Sequence, residues 1–216
     1  REVDGPAVQS RRRTRLEPSN GEAGLCDLVG ETERRRFIKA PSRNCNVSDM
    51  NQPLGKFVGN SLEVYECIKI LRGEIEPGME PTLELSIELI AEMLQLGGVA
   101  DSADKAKALV RQVLDSGAAL AKFRENVEAQ EGDPRVCDDP EMLVDRSLLR
   151  LPVKVASPGY ISAVDAFALG RAICDIGGGR VKAEDNVDHA VGYASAVKIG
   201  DEVRAGKIFD CDVVIF

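Results

Sequence analysis

The sequence predicts an α+β protein in which a helical region precedes a region of short strands. Between residues 60 and 130, apolar side chains recur at the spacing of helices, and from residue 151 they alternate as strands do. The chain has 216 residues, 44% of them hydrophobic, which is enough for one sizeable core or two small ones. We therefore expect a helical part and a strand-rich part, each with apolar residues to bury.

Charge and composition exclude several classes of function. The net charge is -8, and because residues 1–45 carry about +3, the remainder is clearly acidic, which argues against nucleic acid as a partner. No apolar run approaches the roughly 18 to 20 residues that cross a bilayer, and the sequence lacks a signal peptide, so a cytoplasmic location without membrane contact is expected.

Histidine and cysteine usage predicts neither a zinc site nor a redox motif. The six cysteines contain no C-x-x-C pair, and His189 is the only histidine. Cys67 and Cys174 fall among helical apolar positions and are predicted to be buried thiols. His189 is interpreted as a structural or surface residue.

Residues 1–46 predict a disordered or unrelated leader. They contain few large apolar residues and no sustained periodicity, so little burial would offset the entropy of ordering. Arginine-rich runs at residues 11–15 and 34–36 also allow a nuclear signal or nucleic-acid patch. Because these runs are short and lack aromatic residues that stack on bases, we do not expect that function.

A turn and a capped helix open the folded region. Pro53 and Gly55 supply the fixed and the permissive backbone angles of a tight reversal. Asn60 is a predicted N-cap, with Glu63 at the spacing of a capping box, and the helix should continue to Gly73. The apolar positions of this helix are Leu62, Val64, Tyr65, Cys67, Ile68 and Leu71.

Three further helices are predicted before residue 131. The helix at 81–97 is apolar on more than one side, which predicts that it is buried. Ser102 opens the next helix, and residues 115–117 end it. The last of the three covers residues 118–130.

The remaining sequence predicts a linker and then strands. Residues 138–150 are interpreted as a short helix and linker, and so as a domain boundary. The predicted strands are at 151–155, 160–164, 190–197 and 207–215.

One helix interrupts these strands. Asp165 is its predicted cap, and three glycines at 177–179 follow it. A phosphate loop normally precedes a helix, so these glycines favour a helix end over a phosphate site. The turn at 199–206 is similar to that of biotin or lipoate carriers, but Lys182, Lys198 and Lys207 lack the exposed hairpin-tip setting of a carrier lysine.

Several ordered motifs together resemble one enzyme family. They are SDMNQPLG at 48–55, GNSLEV at 59–64, LDSGAA at 114–119, AQ at 129–130, GGGR at 177–180 and VG at 191–192. Over about residues 47–216 the sequence resembles the C-terminal part of the thymidine phosphorylase and pyrimidine-nucleoside phosphorylase family. The resemblance implies that 47–150 is an incomplete helical part of the family's central α/β domain. It also implies that 151–216 is its C-terminal α/β domain, which is like a barrel-sandwich.

The resemblance also implies a pentosyltransferase activity in nucleoside salvage. Members of the family split a pyrimidine nucleoside with inorganic phosphate, giving a free base and a (deoxy)ribose 1-phosphate. They place the phosphate- and base-binding groups before the DMNQPLG motif, and no residue here matches those groups. We therefore predict no catalytic residue, expect a truncated chain that is inactive alone, and leave thymidine or uridine preference open.

A potassium site is the one local function that the resemblance transfers to this chain. It implies main-chain carbonyl ligands at Leu54 and Phe57 and a carboxylate ligand at Glu66. Such hard oxygen ligands suit an alkali cation. The alternative is that Glu66 is an ordinary solvated helix carboxylate.

Two other functions remain open. The chain could be a non-catalytic remnant or interaction module that binds a partner, or it could derive from an AMP phosphorylase, although the DMNQPLG turn favours the pyrimidine enzymes. The resemblance implies a homodimer, but the helical domain on which that dimer depends is not matched here. Helices that normally cover a sheet are expected to leave apolar faces exposed.

Overall fold

The computed structural model describes residues 48–145, 147, 149–154, 157–204 and 208–215. The predicted leader, residues 1–46, lies outside the described residues. The helices are α1 Asn60–Leu71, α2 Glu80–Leu96, α3 Ala103–Asp115, α4 Ala118–Ala129 and α5 Ala166–Asp175, with 3-10 turns at Pro134–Cys137 and Pro140–Leu143. The strands are β1 Phe57–Val58, β2 Leu149–Lys154, β3 Gly159–Tyr160, β4 Gly192–Ser195, β5 Glu202–Val203 and β6 Ile208–Ile215. The α+β expectation is confirmed at this level.

An antiparallel sheet joins the two predicted regions. Its strand order is β1-β4-β6-β2, and β3 pairs with β5 in a second, two-stranded sheet. In the first pair Phe57 lies opposite Ala194, and in the last pair Leu149 lies opposite Ile215. The predicted strand at 160–164 is wrong in extent, because its pairing with β5 covers only Gly159 and Tyr160.

The main chain between β1 and α1 lies in close contact with the main chain at the start of β4. Gly59 has a φ of 141°, and a Cβ atom there would lie 2.5 Å from the carbonyl oxygen of Val191. A Cβ atom at Gly192 would lie 2.3 Å from the carbonyl oxygen of Val58. Both positions need glycine for this close approach, which holds β1 against β4.

Helix α1 provides the largest share of the buried side chains. On this helix Ile68 is fully buried, and Leu62, Tyr65 and Ile70 are nearly so. Such apolar burial is the main stabilising term in a fold of this kind. The face of α1 that carries these residues is therefore fixed.

The start of α1 differs from the sequence prediction. Asn60 is the first helical residue and Gly59 occupies the cap position, so the predicted Asn60 cap is wrong. The Asn60 side chain pairs instead with Nδ1 of His189 at 2.8 Å, which gives that exposed histidine the structural role expected of it. Glu63 does reach back, and its carboxylate accepts a hydrogen bond from the Gly59 amide at 3.1 Å.

The prediction that α2 is buried is wrong. Only Ile87 and Ala91 are buried on this helix, whereas Ile90 is 42% and Met93 68% exposed. Periodicity identified the apolar positions, but the described residues cover one side of the helix only. The expectation of exposed apolar faces is thereby confirmed.

The remaining helix ends follow the sequence. Ser102 accepts a hydrogen bond from the Lys105 amide, and Asp165 accepts one from the Ala168 amide at 2.9 Å. Gly177 adopts a φ of 94°, and the amide of Gly178 donates to the carbonyl of Ile173, so the glycine run ends α5 as predicted.

Two further observations correct or limit the sequence reading. Cys67 is exposed and Cys174 half-buried, so the prediction of two buried thiols is wrong. Among the described residues, no helix combines the length and apolar character that crossing a membrane requires.

Candidate functional site

The three predicted potassium ligands lie together in the structure. Leu54 belongs to the turn before β1, Phe57 to β1 and Glu66 to the middle of α1. All three line one cavity of about 300 Å³, with Thr82 and Leu169 on its other walls. The structure thus brings together residues that lie up to 12 positions apart in the sequence, from Leu54 to Glu66.

Glu66 is buried, and each of its carboxylate oxygens accepts a hydrogen bond. Its side chain is only 3% exposed, so the interpretation of a solvated helix carboxylate is wrong. One carboxylate oxygen accepts from the Phe57 amide at 2.9 Å, and the other accepts from the Thr82 hydroxyl at 2.8 Å. A buried carboxylate needs such donors, because desolvation without them costs several kcal/mol.

The register of β1 explains why the Phe57 amide is available. The Ser195 amide donates to the carbonyl of Lys56, which makes Phe57 and Ala194 a non-hydrogen-bonded pair. The Phe57 amide therefore points away from β4 and towards α1. Its ring packs edge-on against Tyr65 with centroids 5.5 Å apart, which holds the strand residue in place.

Tyr65 anchors the other side of this packing. Its hydroxyl donates to the Glu141 carboxylate at 3.0 Å. Burial, with this hydrogen bond and the charge of Glu141 adding to it, raises the pKa of Tyr65 to about 12. The phenol therefore stays neutral and keeps its donor throughout the physiological range.

Lys198 is a residue of this site that the sequence analysis did not predict. Its Nζ donates to the carbonyl oxygens of Pro53 at 2.9 Å, Leu54 at 3.1 Å and Gly55 at 2.7 Å. These three oxygens are called the carbonyl cluster below. Burial lowers the pKa of Lys198 from its ordinary 10.5, while the negative charges of Glu66, Asp201 and Glu80 act in the opposite direction.

The loop that carries Lys198 is fastened to the turn at a second point. The amide of Ile199 donates to the side-chain oxygen of Gln52 at 2.8 Å, and the amide of Lys198 donates to Asp201 at 2.8 Å. Lys198 follows Pro53 by 145 residues, so no local pattern links them. The Lys-Ile-Gly-Asp turn was visible in the sequence, but the direction of its lysine was not.

The chemistry of this site suits a cation and does not suit an anion. The cluster and Glu66 present acceptor oxygens, the ligands that alkali cations take. Within the described ranges, no group of three or more His, Cys, Asp or Glu residues is placed to hold a metal ion. The acceptor oxygens at this site are therefore main-chain carbonyls together with the carboxylate of Glu66.

Comparison with known proteins agrees with the resemblance predicted above. Residues 160–209 match the model of the pyrimidine nucleoside phosphorylase C-terminal domain. The pyrimidine-nucleoside phosphorylases of Staphylococcus aureus strains bovine RF122 / ET3-1, USA300 and NCTC 8325 are each 38% identical to this chain over 161 residues. The match takes in 74% of this chain but only 36% of each of these relatives. The chain therefore belongs to the pyrimidine-nucleoside phosphorylase family, and it spans 36% of the length of the curated relatives it matches.

Proposed function

We propose that this chain is the C-terminal part of a thymidine or pyrimidine-nucleoside phosphorylase. The reaction would join inorganic phosphate to the sugar of a pyrimidine nucleoside, releasing the free base and a (deoxy)ribose 1-phosphate, in the nucleoside salvage of the cytoplasm. The observation that carries the proposal is the 38% identity over 161 residues to enzymes of that name. The matched C-terminal domain at residues 160–209 supports the same assignment.

We expect the chain to be inactive alone. Phosphorolysis needs donors for the phosphate oxygens and for the negative charge that develops on the departing base. The carbonyl cluster and Glu66 offer acceptors instead, and acceptors repel both of those groups. We therefore assign no catalytic residue to the described part of the chain and give the cluster a supporting role.

We also propose that a potassium ion can bind beside Glu66. The carbonyls of Leu54 and Phe57 and the carboxylate of Glu66 would hold it, and all three residues line one cavity. The ion would neutralise the buried carboxylate and tie the turn to α1. Lys198 already donates a hydrogen bond to the Leu54 carbonyl, so it would compete with the ion for that oxygen.

The finer architecture belongs to the same proposal. Residues 47–150 would complete the helical side of a larger central domain, and residues 151–216 would form a barrel-sandwich-like domain. The order β1-β4-β6-β2 supports a strand-rich second part, although β1 joins that sheet from the first part.

Reconstitution tests the proposed activity. The purified chain would be mixed with the N-terminal part of the USA300 relative, and release of thymine from thymidine and phosphate would be measured. We expect no turnover from either piece and measurable turnover from the mixture. Glu66→Ala should reduce the restored rate, whereas the exposed Glu128→Ala should leave it unchanged.

Other outcomes of this experiment would contradict the proposal. Turnover by the chain alone would overturn the expected inactivity. A stable mixture without turnover would favour the interaction-module interpretation, which the exposed apolar residues of α2 also support. Restored turnover of AMP in place of thymidine would favour the AMP phosphorylase interpretation.

A further inference from the structure

Lys198 places its ammonium group where a free cation would otherwise be expected. An ammonium group has three N–H donors, and all three carbonyls of the cluster lie within 3.1 Å of its nitrogen. Three consecutive carbonyls that converge on one point form the kind of cradle that replaces the water shell of a potassium ion. The three N–H donors of Lys198 are therefore matched by three carbonyl oxygens whose arrangement would also suit a free cation.

Several groups around this point partly offset the effect of burial on the charge of Lys198. Among the described residues, no ion pair within 4.0 Å joins Lys198 to a carboxylate, so its direct partners are main-chain dipoles. Glu66, Asp201 and Glu80 act on it from farther away. A half-buried charge is kept here by carbonyl oxygens and a negative local field rather than by a single counter-ion.

The lysine is also held there by its own backbone. The Lys198 amide bonds Asp201, and the next amide bonds Gln52 of the turn itself. These contacts hold the loop against the turn. The side chain of Lys198 still loses rotamer freedom on reaching the cluster, but the backbone from which it extends is already held beside it.

We propose that Lys198 is the built-in cation of the carbonyl cluster, and that it weakens binding of free monovalent cations at the adjacent cavity. The turn at 52–55 is thereby stabilised without a metal ion. This proposal rests on the geometry of the carbonyl cluster. Only the statement about potassium binding rests on the potassium site proposed above.

Lys198→Met in the full 216-residue chain tests this directly. A methionine side chain ends one atom short of the position of Nζ, so it leaves room for a free ammonium ion. The exposed Lys182→Met is the matched control. Thermal unfolding of both variants and of the parent chain would be followed in choline, sodium, potassium and ammonium chloride at equal ionic strength.

The expected results separate the two proposals. In choline chloride Lys198→Met should unfold at a temperature lower by about 5 °C, because several charge-assisted hydrogen bonds are lost. Ammonium chloride should recover at least half of that loss, while the parent chain and Lys182→Met should not respond. Recovery by ammonium but not by potassium would support the built-in cation and contradict the potassium site.

Other results would overturn the inference. One such result is an unchanged unfolding temperature for Lys198→Met. The other is a lowered unfolding temperature that no monovalent cation raises by more than it raises that of Lys182→Met. If Lys198→Met does not fold, the parent chain gives a second test through the ζ-ammonium resonance of Lys198, assigned by through-bond correlation. A slowly exchanging resonance that potassium chloride leaves unchanged supports the inference, and its loss on adding potassium chloride overturns it.

Discussion

Gly55 and Glu66 lie so close together that no side chain fits between them. A Cβ atom at Gly55 would be 2.2 Å from one carboxylate oxygen of Glu66. That carboxylate cannot move freely, because it accepts hydrogen bonds from Phe57 and Thr82. The site therefore requires a glycine at position 55 as well as the hydrogen-bond donors to Glu66.

This contact gives a prediction for single substitutions. Gly55→Ala should lower the free energy of unfolding by about 1–3 kcal/mol, because the displaced Glu66 carboxylate loses its buried donors. Gly170→Ala is the matched control: its Cβ atom would meet nothing within 4 Å, and alanine favours a helix over glycine by roughly 0.5–1 kcal/mol. Urea denaturation of both variants measures the difference. Equal stability of the two variants would contradict the role given to the close approach.

At the scale of an element, the end of α1 is held by a group of opposite charges. Lys69 and Arg72, in and just after the last turn, contact the Glu74 carboxylate at 2.8 Å and 2.6 Å. The hydrogen bond from Lys69, followed by that from Arg72, lowers the pKa of Glu74 below its ordinary 4.5. Glu74 is more than one-third exposed, so solvent screens much of this interaction.

The charge group predicts how stability depends on pH. Since the folded-state pKa of Glu74 is lowered, its stabilisation is present above 4.5 and is lost as the pH falls through the lowered value. Between about pH 6 and about pH 3, the parent chain should lose up to about 1 kcal/mol more than Glu74→Gln. Unfolding by urea at several pH values checks this. The exposed Glu128→Gln should keep the parent's pH dependence, and an unchanged dependence in Glu74→Gln would refute the assignment.

At the scale of the whole molecule, α2 presents an apolar surface that the described residues leave open. Met93 is 68% exposed, and Leu89, Ile90 and Leu96 are each more than 40% exposed. Exposed apolar residues that lie together favour association with other surfaces. Because these side chains contribute little to the described core, they can be changed without disturbing the fold.

Self-association should therefore respond to a charge on this surface. Met93→Glu should raise the concentration at which light scattering detects aggregates, with the unfolding free energy changed by less than about 0.5 kcal/mol. Asn126→Asp adds the same charge on α4, away from those residues, and should change the scattering much less. Equal effects of the two variants would show that net charge, rather than the α2 surface, controls association.

The sequence predicted helices far better than it predicted their surroundings. Local periodicity was enough to predict α3 and α4 as the structure has them, since those signals lie within single elements. The burial of α2 was predicted wrongly because an apolar pattern does not say what will cover it. Glu66 was found through a family resemblance, and Lys198 was missed because its partners are 143–145 residues away.

The contact between Gly59 and Gly192 restricts how this protein can diverge. A methyl group at either position would press on main chain, and at Gly192 it would also meet the side chain of Leu62. A second substitution could shorten Leu62, but it could not remove the clash with the main chain. Replacement of either glycine would therefore disrupt the pairing of β1 with β4. It would also remove the support that this pairing gives to the turn bound by Lys198.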